Sequence, residues 1–162
     1  MRRVDKEITD HQVIAGIIEN SQVCRLGLAK DNIPYILPVS FGYDGAALYF
    51  HTAREGRKID FIAANPRVCF ELEHDCRVVP HEKNACNWTA SFRSVIGYGT
   101  VRELLDPAEK SAGLQQIMQH YAPAPAPAQE WTFDGGGMAA TRVWKITIES
   151  VSGKQSKDKF TS

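Results

Sequence analysis

The chain has 162 residues, which suits one domain with a sizeable core. Hydrophobic residues make up 43% and charged residues 23%, and 19 Lys plus Arg balance 19 Asp plus Glu, so neither nucleic acid nor an acidic membrane is a bulk electrostatic partner. Asp5, Lys6 and Glu7 stand where a signal peptide would be apolar, and no apolar run approaches the ~20 residues of a membrane span; a cytoplasmic protein is expected.

Thr9-x-x-Gln12 fits a capping box, and Ile8, Val13, Ile14, Ile17 and Ile18 then predict an amphipathic helix ending near Asn20-Ser21. Val23–Lys30 reads as a strand with Cys24, Leu26 and Leu28 on one face, closed by turn residues Asp31-Asn32. Ile33–Tyr43 is a second strand, and Pro38 within it points to a sheet edge or an interrupted ladder. Asp44-Gly45 marks a hairpin, with Ala47–His51 as the third strand. Ile59, Ile62 and Ala63 return at helical spacing until Asn65-Pro66 stops the helix. Arg67–His74 is a fourth strand, and residues 75–87 read as polar and irregular. Trp88–Leu105 is a long or bent strand, with Gly97 and Gly99 as bulge or close-approach sites. Asp106-Pro107-Ala-Glu109 is a strong helix start, and that helix ends near His120-Tyr121. Ala122–Ala128 alternates alanine and proline, and the two readings are an extended spacer and a surface loop. Gly135–Gly137 reads as a flexible hinge or a close backbone approach, Thr141–Val151 as the final strand, and Ser152–Ser162 as a frayed polar end. These six strands and three helices predict a mainly β (α+β) fold, a small antiparallel barrel with helices outside. A single domain over residues 1–152 with a polar tail at 153–162 is expected. No GxGxxG or Walker pattern is present, which disfavours a Rossmann or P-loop nucleotide site.

The most informative stretch is the start of the second helix. Arg54, Arg57 and Lys58 surround Gly56 there, with Glu55 beside them. Cations at a helix N-terminus oppose the macrodipole, a conflict that a bound anion such as phosphate removes. The bland alternative is a solvated basic turn. A flavin mononucleotide (FMN) would use the whole region. Its phosphate would meet Arg57, Lys58 and the helix start, and its ring would need flat apolar walls with polar partners at fixed depth. The strand Leu37–Phe41 could form such a wall, and Phe50-His51-Thr52 leads directly into the phosphate-like site.

The cysteines show no two-residue spacing of a zinc or redox motif, and Cys24 and Cys69 read as core thiols. His74, Cys76, His81 and Cys86 include ligand types that zinc accepts, but their spacing fits no metal pattern and no metal is expected.

Pro-Val-Ser-Phe, Asp-Gly, Tyr-Phe-His, Glu-Gly-Arg-Lys and Asn-Pro-Arg-Val fall in order within Pro34–Leu72. With Phe92–Leu104 and the run Trp144–Lys154, they resemble the FMN-binding split-barrel family that includes pyridoxamine 5′-phosphate oxidase. The branch most resembled holds the 5-nitroimidazole-resistance (Nim-type) proteins. The resemblance implies a six-stranded split barrel and a homodimer with FMN at the subunit interface. By position, Arg57 and Lys58 would hold the phosphate, Val39, Ser40 and Phe41 would line the ring, and His51 and Thr52 would touch its polar edge. Ser94 would lie near the ribityl phosphate. His51 is the implied catalytic residue, orienting substrate or shuttling a proton. A strand histidine with a satisfied hydrogen bond is the alternative. The oxidase carries a basic residue on the strand occupied here by Ile36–Phe41 and further basic residues near its C-terminus; this chain lacks the first and shows no clear match for the second, so pyridoxine-phosphate oxidation is not expected. Trp131 is expected in core or lid packing, with capping of the site from the partner chain as the alternative.

The resulting expectation is an FMN-dependent oxidoreductase that reduces a small organic substrate by two electrons, nitro compounds among them, with NAD(P)H as one plausible donor. The rivals are a haem-binding protein on the same barrel, with His51 as axial ligand, and a non-enzymatic flavin binder.

Overall fold

The computed structural model describes residues 4–122 and 131–156. Most of the Ala-Pro segment at 122–128 lies outside the described residues, as does the chain beyond 156. The elements run β1 (Glu7–Ile8), α1 (His11–Asn20), β2 (Cys24–Lys30), β3 (Ile33–Val39), β4 (Phe41–Tyr43) and β5 (Ala47–Thr52). They continue as α2 (Arg57–Ala64), β6 (Arg67–Val79), β7 (Thr89–Glu103), α3 (Pro107–Tyr121), α4 (Gly135–Ala140) and β8 (Arg142–Gln155). No helix among the described residues is long and apolar enough to cross a membrane.

One sheet of eight strands, antiparallel at each pairing, runs β3-β2-β6-β7-β8-β5-β4, with β1 added on β8. Its two ends are β3 and β4, and only Ser40 separates them in sequence. The sheet therefore curls until its edges meet at one residue, the topology of a split barrel. The long strand read at Ile33–Tyr43 is broken at Ser40, and Glu7–Ile8 pairs with Lys154 and Gly153, which raises the expected six strands to eight. Pro34 and Pro38 are tolerated because β3 is an edge.

The inner cluster fills the curl with Leu26, Phe41, Phe50, Phe70, Leu72 and Trp144, and α1 and α2 close over it through Ile14, Ile17, Ile18, Phe61 and Ile62. A second cluster lies outside the sheet, where Leu114 and Ile117 of α3 pack on Tyr49, Leu104 and Val143. Alternation along β5 explains the division: Leu48 and Phe50 join the inner cluster, while Ala47 and Tyr49 join the outer one.

Turn chemistry matches expectation at Asp31 and Asn32, with φ of 50° and 61°, and at Gly45, with φ of 93°. Asp106 caps α3, accepting from the amides of Ala108 and Glu109 at 2.9 and 3.0 Å. The expected irregularity in β7 is present as a register shift at Tyr98/Gly99 and as the Phe70 ring lying directly over Gly97.

Four local readings are corrected. Asp10, not Thr9, caps α1 by accepting from Gln12 N at 2.8 Å, because Ile8 is drawn into β1. Residues 75–79 continue β6 beyond a bulge between His74 and Arg77, with Asp75 at φ 56° taking up the extra residue. Gly135–Gly137 open a short helix, since Asp134 caps it at Gly137 N (2.8 Å) and Lys110 Nζ donates to Met138 O. The polar end continues β8 to Gln155, because Gly153 has no side chain and lets Ile8 and Ile14 close over the strand.

Candidate functional site

The chain leaves β5 at Thr52 and turns through Gly56 into α2. Gly56 has φ of 137°, a conformation that favours glycine, and no side chain caps the helix. A Cβ at Gly56 would meet nothing within 4 Å, so the space beside the helix start is open. Ile59 N donates to Gly56 O at 2.9 Å, which closes the first turn. Arg57 is exposed, and its guanidinium lies over the rings of Tyr35 and Phe61, 4.9 and 5.3 Å from their centroids. The two rings support a planar cation at the helix mouth and limit its rotamers. Lys58 is half-buried beside it. The turn before the helix is fixed from β8: Arg142 pairs bidentately with Glu103, lies 4.8 Å from the Trp144 ring, and donates to Arg54 O at 3.4 Å. Arg142's hydrogen bonds hold the Glu103 carboxyl below the usual carboxylate range.

At the other end of the same segment, Phe41↔Phe50 is the last pair between β4 and β5, and Ser40 and His51 flank it. Both are exposed, and by alternation both lie on the outward side. Phe41 is fully buried, side chain and backbone alike, in the inner cluster. Val39 is half-buried and also packs against that cluster. Thr52 is buried with its hydroxyl engaged twice, accepting from Trp144 Nε1 at 3.0 Å and donating to Ala53 O at 2.8 Å. The exposed part of this region is Ser40 and His51 at one end and Arg57 with the open α2 start at the other, while Phe41 and Thr52 are buried.

Ser94 is not part of that region within the protomer. It pairs with Glu73 and Lys154, six positions along β7 from Thr100, whose partner Arg67 follows α2. At ~3.3 Å per residue the separation along the strand is about 20 Å. Ser94 shares the outward face of β7 with Ile96 and Tyr98, which are 44% and 52% exposed. Register carries this face across the sheet through Cys69 and Gly27 to Ile36, 68% exposed on β3. Cys69, read as a core thiol, is only half-buried because it lies in this row.

The profile of the pyridoxamine 5′-phosphate oxidase family matches residues 10–155. The chain belongs to this family. A candidate 5-nitroimidazole antibiotic resistance protein from Bacteroides thetaiotaomicron superposes with a TM-score of 0.79 and 28% identity, over 91% of this chain and 85% of that one. An FAD and haem binding protein from Mycobacterium smegmatis gives a TM-score of 0.81 at 19% identity, over 97% of this chain and 76% of that one. An uncharacterized protein, RA0666 of Rhizobium meliloti (strain 1021), is 32% identical over 57 residues, which span 35% of this chain and 37% of its own length.

As a pyridoxamine 5′-phosphate oxidase family member, the chain has the split barrel that the sequence implied. Several supports of the candidate site were not singled out in the sequence. Tyr35 and Trp144 were seen only as strand residues, and Glu103 and Arg142 stand 39 positions apart with no local signal of pairing. The His/Cys group near the β6–β7 hairpin is occupied with local contacts: His74 Nε2 is 3.2 Å from Asp75, Cys76 Sγ is 3.3 Å from Glu73, and His81 Nδ1 accepts from the amides of Lys83 and Asn84. Among the described residues no three His, Cys, Asp or Glu side chains are placed to hold a metal. Burial and the Glu73 hydrogen bond push the Cys76 thiol up to about 11, far from an activated nucleophile. Trp131 is half-buried, its backbone tied to the Gln115 side chain on α3 by two hydrogen bonds.

Proposed function

We propose that this chain is an FMN-binding flavoprotein that reduces a small organic substrate by two electrons, with nitro compounds as the first class to test. The α2 start carries the reading: an uncapped helix N-terminus beside open space, with Arg57 braced over two rings and Lys58 adjacent. This donor set suits a phosphate dianion, and the exposed Ser40 and His51 lie on the chain segments that lead to it. A bound flavin supplies the two-electron chemistry. Arg57 and Lys58 would bind its phosphate, Val39 and Ser40 at the seam would form one wall of its ring site, and the His51 imidazole would orient substrate or pass a proton at a ring nitrogen. NAD(P)H is the proposed donor.

We also propose that two copies pair through the outward face bearing Ile36, Ile96 and Tyr98. Exposed large hydrophobics on β3 and β7, with Tyr98 and Ile36 joined by one register row through Cys69 and Gly27, favour burial against a partner. Ser94 on that face is too far from its own α2 and would serve the partner's flavin.

The test is Arg57→Ala with Lys58→Ala. The double variant keeps the fold by circular dichroism and purifies without flavin; a variant retaining stoichiometric flavin would refute the phosphate assignment. Spectra with added FMN, FAD and haem separate the alternatives. A haem band lost in His51→Ala, without flavin uptake, would replace this reading with a haem-binding one.

A further inference from the structure

The seam at Ser40, between Val39 paired with Cys24 and Phe41 paired with Phe50, is also held by side chains of α3. Ser40 belongs to neither flanking strand. The first amide of β4, Phe41 N, donates to Tyr121 Oη at 3.2 Å. That hydroxyl donates onward to Gln22 O at 2.8 Å, in the turn between α1 and β2. The neighbouring His120 brings Nε2 to 2.8 Å from Ser21 O, and because a carbonyl only accepts, Nε2 carries the hydrogen. The His120 ring also lies 4.2 Å from the Phe41 ring, and its other neighbour is Tyr121 at 4.7 Å. Ser21 is itself anchored, its hydroxyl contacting Ile17 O and Glu73 O. The last two residues of α3 therefore tie the seam to α1, β2 and β6 at once.

We infer that Tyr121 and His120 are positioning residues for the ligand that sits on the Val39–Phe41 seam. The inference rests on the flavin reading above for the identity of that ligand. A strand in mid-sheet is fixed by ladders on both sides; Ser40 has neither, and a ligand reading its backbone depends on what holds the next amide. Tyr121 supplies that hold through one hydroxyl that accepts and donates together. Removing the hydroxyl leaves the ring packing intact and frees the seam. His120 adds the packing that keeps the Phe41 ring in the inner cluster beside the exposed Ser40.

The test is Tyr121→Phe in the full chain, with His120→Gln as a second variant and Tyr43→Phe as control. Tyr43 Oη bonds Gly45 O in the neighbouring hairpin, away from the seam. Two readouts are needed: amide hydrogen exchange in the flavin-free protein, and the FMN dissociation constant by fluorescence. Tyr121→Phe is expected to lower Phe41 amide protection by about tenfold while Val95 protection holds, and to weaken FMN binding about five- to tenfold, the loss of one well-placed hydrogen bond. His120→Gln shifts FMN affinity in the same direction, and Tyr43→Phe leaves it unchanged. Unchanged Phe41 protection would overturn the clamp itself. Reduced protection with an unchanged dissociation constant would overturn its role in positioning the ligand. If the unaltered protein takes up no FMN, the flavin reading fails along with the ligand role, and the exchange data alone still accept or reject the clamp.

Discussion

Gly42 is the point where α3 rests on β4. A Cβ added there would lie 2.5 Å from both Gln116 O and Ile117 N. That is about 1 Å inside ordinary van der Waals contact. The obstructing atoms are helix backbone, which has no rotamer to change, so the C-terminal part of α3 must retreat. Overpacking of this kind costs about 3 kcal/mol at the upper end of its usual range. Burying one more methyl returns ~0.8 kcal/mol, and reduced freedom of the unfolded chain returns ~0.5 kcal/mol. Gly42→Ala should therefore destabilise by about 2 kcal/mol, which lowers Tm by about 4–8 °C for a chain of this size. Urea denaturation should show a lower midpoint with an unchanged slope. Gly16→Ala is the matched control: it lies within α1, a Cβ there meets nothing within 4 Å, and the same substitution should stabilise by up to ~1 kcal/mol. Gly42→Ala as stable as the unaltered protein would refute the seating of α3 on β4 and, with it, the clamp at the seam.

Thr52→Val keeps the shape but strands the Trp144 indole N–H in a buried site, and should cost about 1–3 kcal/mol in urea denaturation. No loss of stability would show that the pair is dispensable. Burial alone would raise the Asp44 pKa, but hydrogen bonds from Tyr49 Oη and the amides of Ala46 and Ala47 outweigh it and hold the carboxyl below its usual range. Its folded pKa lies below the unfolded value, so its contribution is present above that value and is lost as pH falls through the folded one. The stability gap between the unaltered protein and Asp44→Asn should narrow as pH falls below the ordinary carboxylate range of about 4, and a gap that stays constant on acidification would contradict the assignment. Cys76 is exposed, yet its thiol is pushed up to about 11. Iodoacetamide labelling at Cys76 should rise about tenfold per pH unit through pH 10; a plateau near pH 9 would disprove the shift.

Much of this was legible because the signals are local. Arg54–Lys58 with Gly56 is a contiguous string, and Asp106-Pro107, Asp44-Gly45 and Asp31-Asn32 each carry their own turn or cap chemistry. Pro38 correctly marked an edge. The division at Ser40 was not legible, because nothing in Val39-Ser40-Phe41 says that its two halves pair with different strands. That assignment is made by Cys24 on one side and Phe50 on the other. The supports of the site are similarly non-local: Tyr121 meets Phe41 across 80 positions, and Trp144 meets Thr52 across 92. The polar end misled for a related reason. Ser152-Gly153 looks frayed by composition, yet Gly153 is where β1 and α1 close onto β8, a contact only the assembled barrel defines. His120 stands in the last turn of α3, and its ring and Nε2 join Phe41 to Ser21, partners that nothing local to His120 reveals.

The most direct test of the phosphate site is to titrate the purified protein with FMN and with riboflavin, which differ only in the phosphate, and to follow flavin fluorescence. Two charge-assisted contacts at ~1.5 kcal/mol or more each predict that FMN binds at least about 100-fold more tightly than riboflavin. Equal affinities for the two, or no saturable binding of either, would contradict a phosphate held by Arg57, Lys58 and the α2 start.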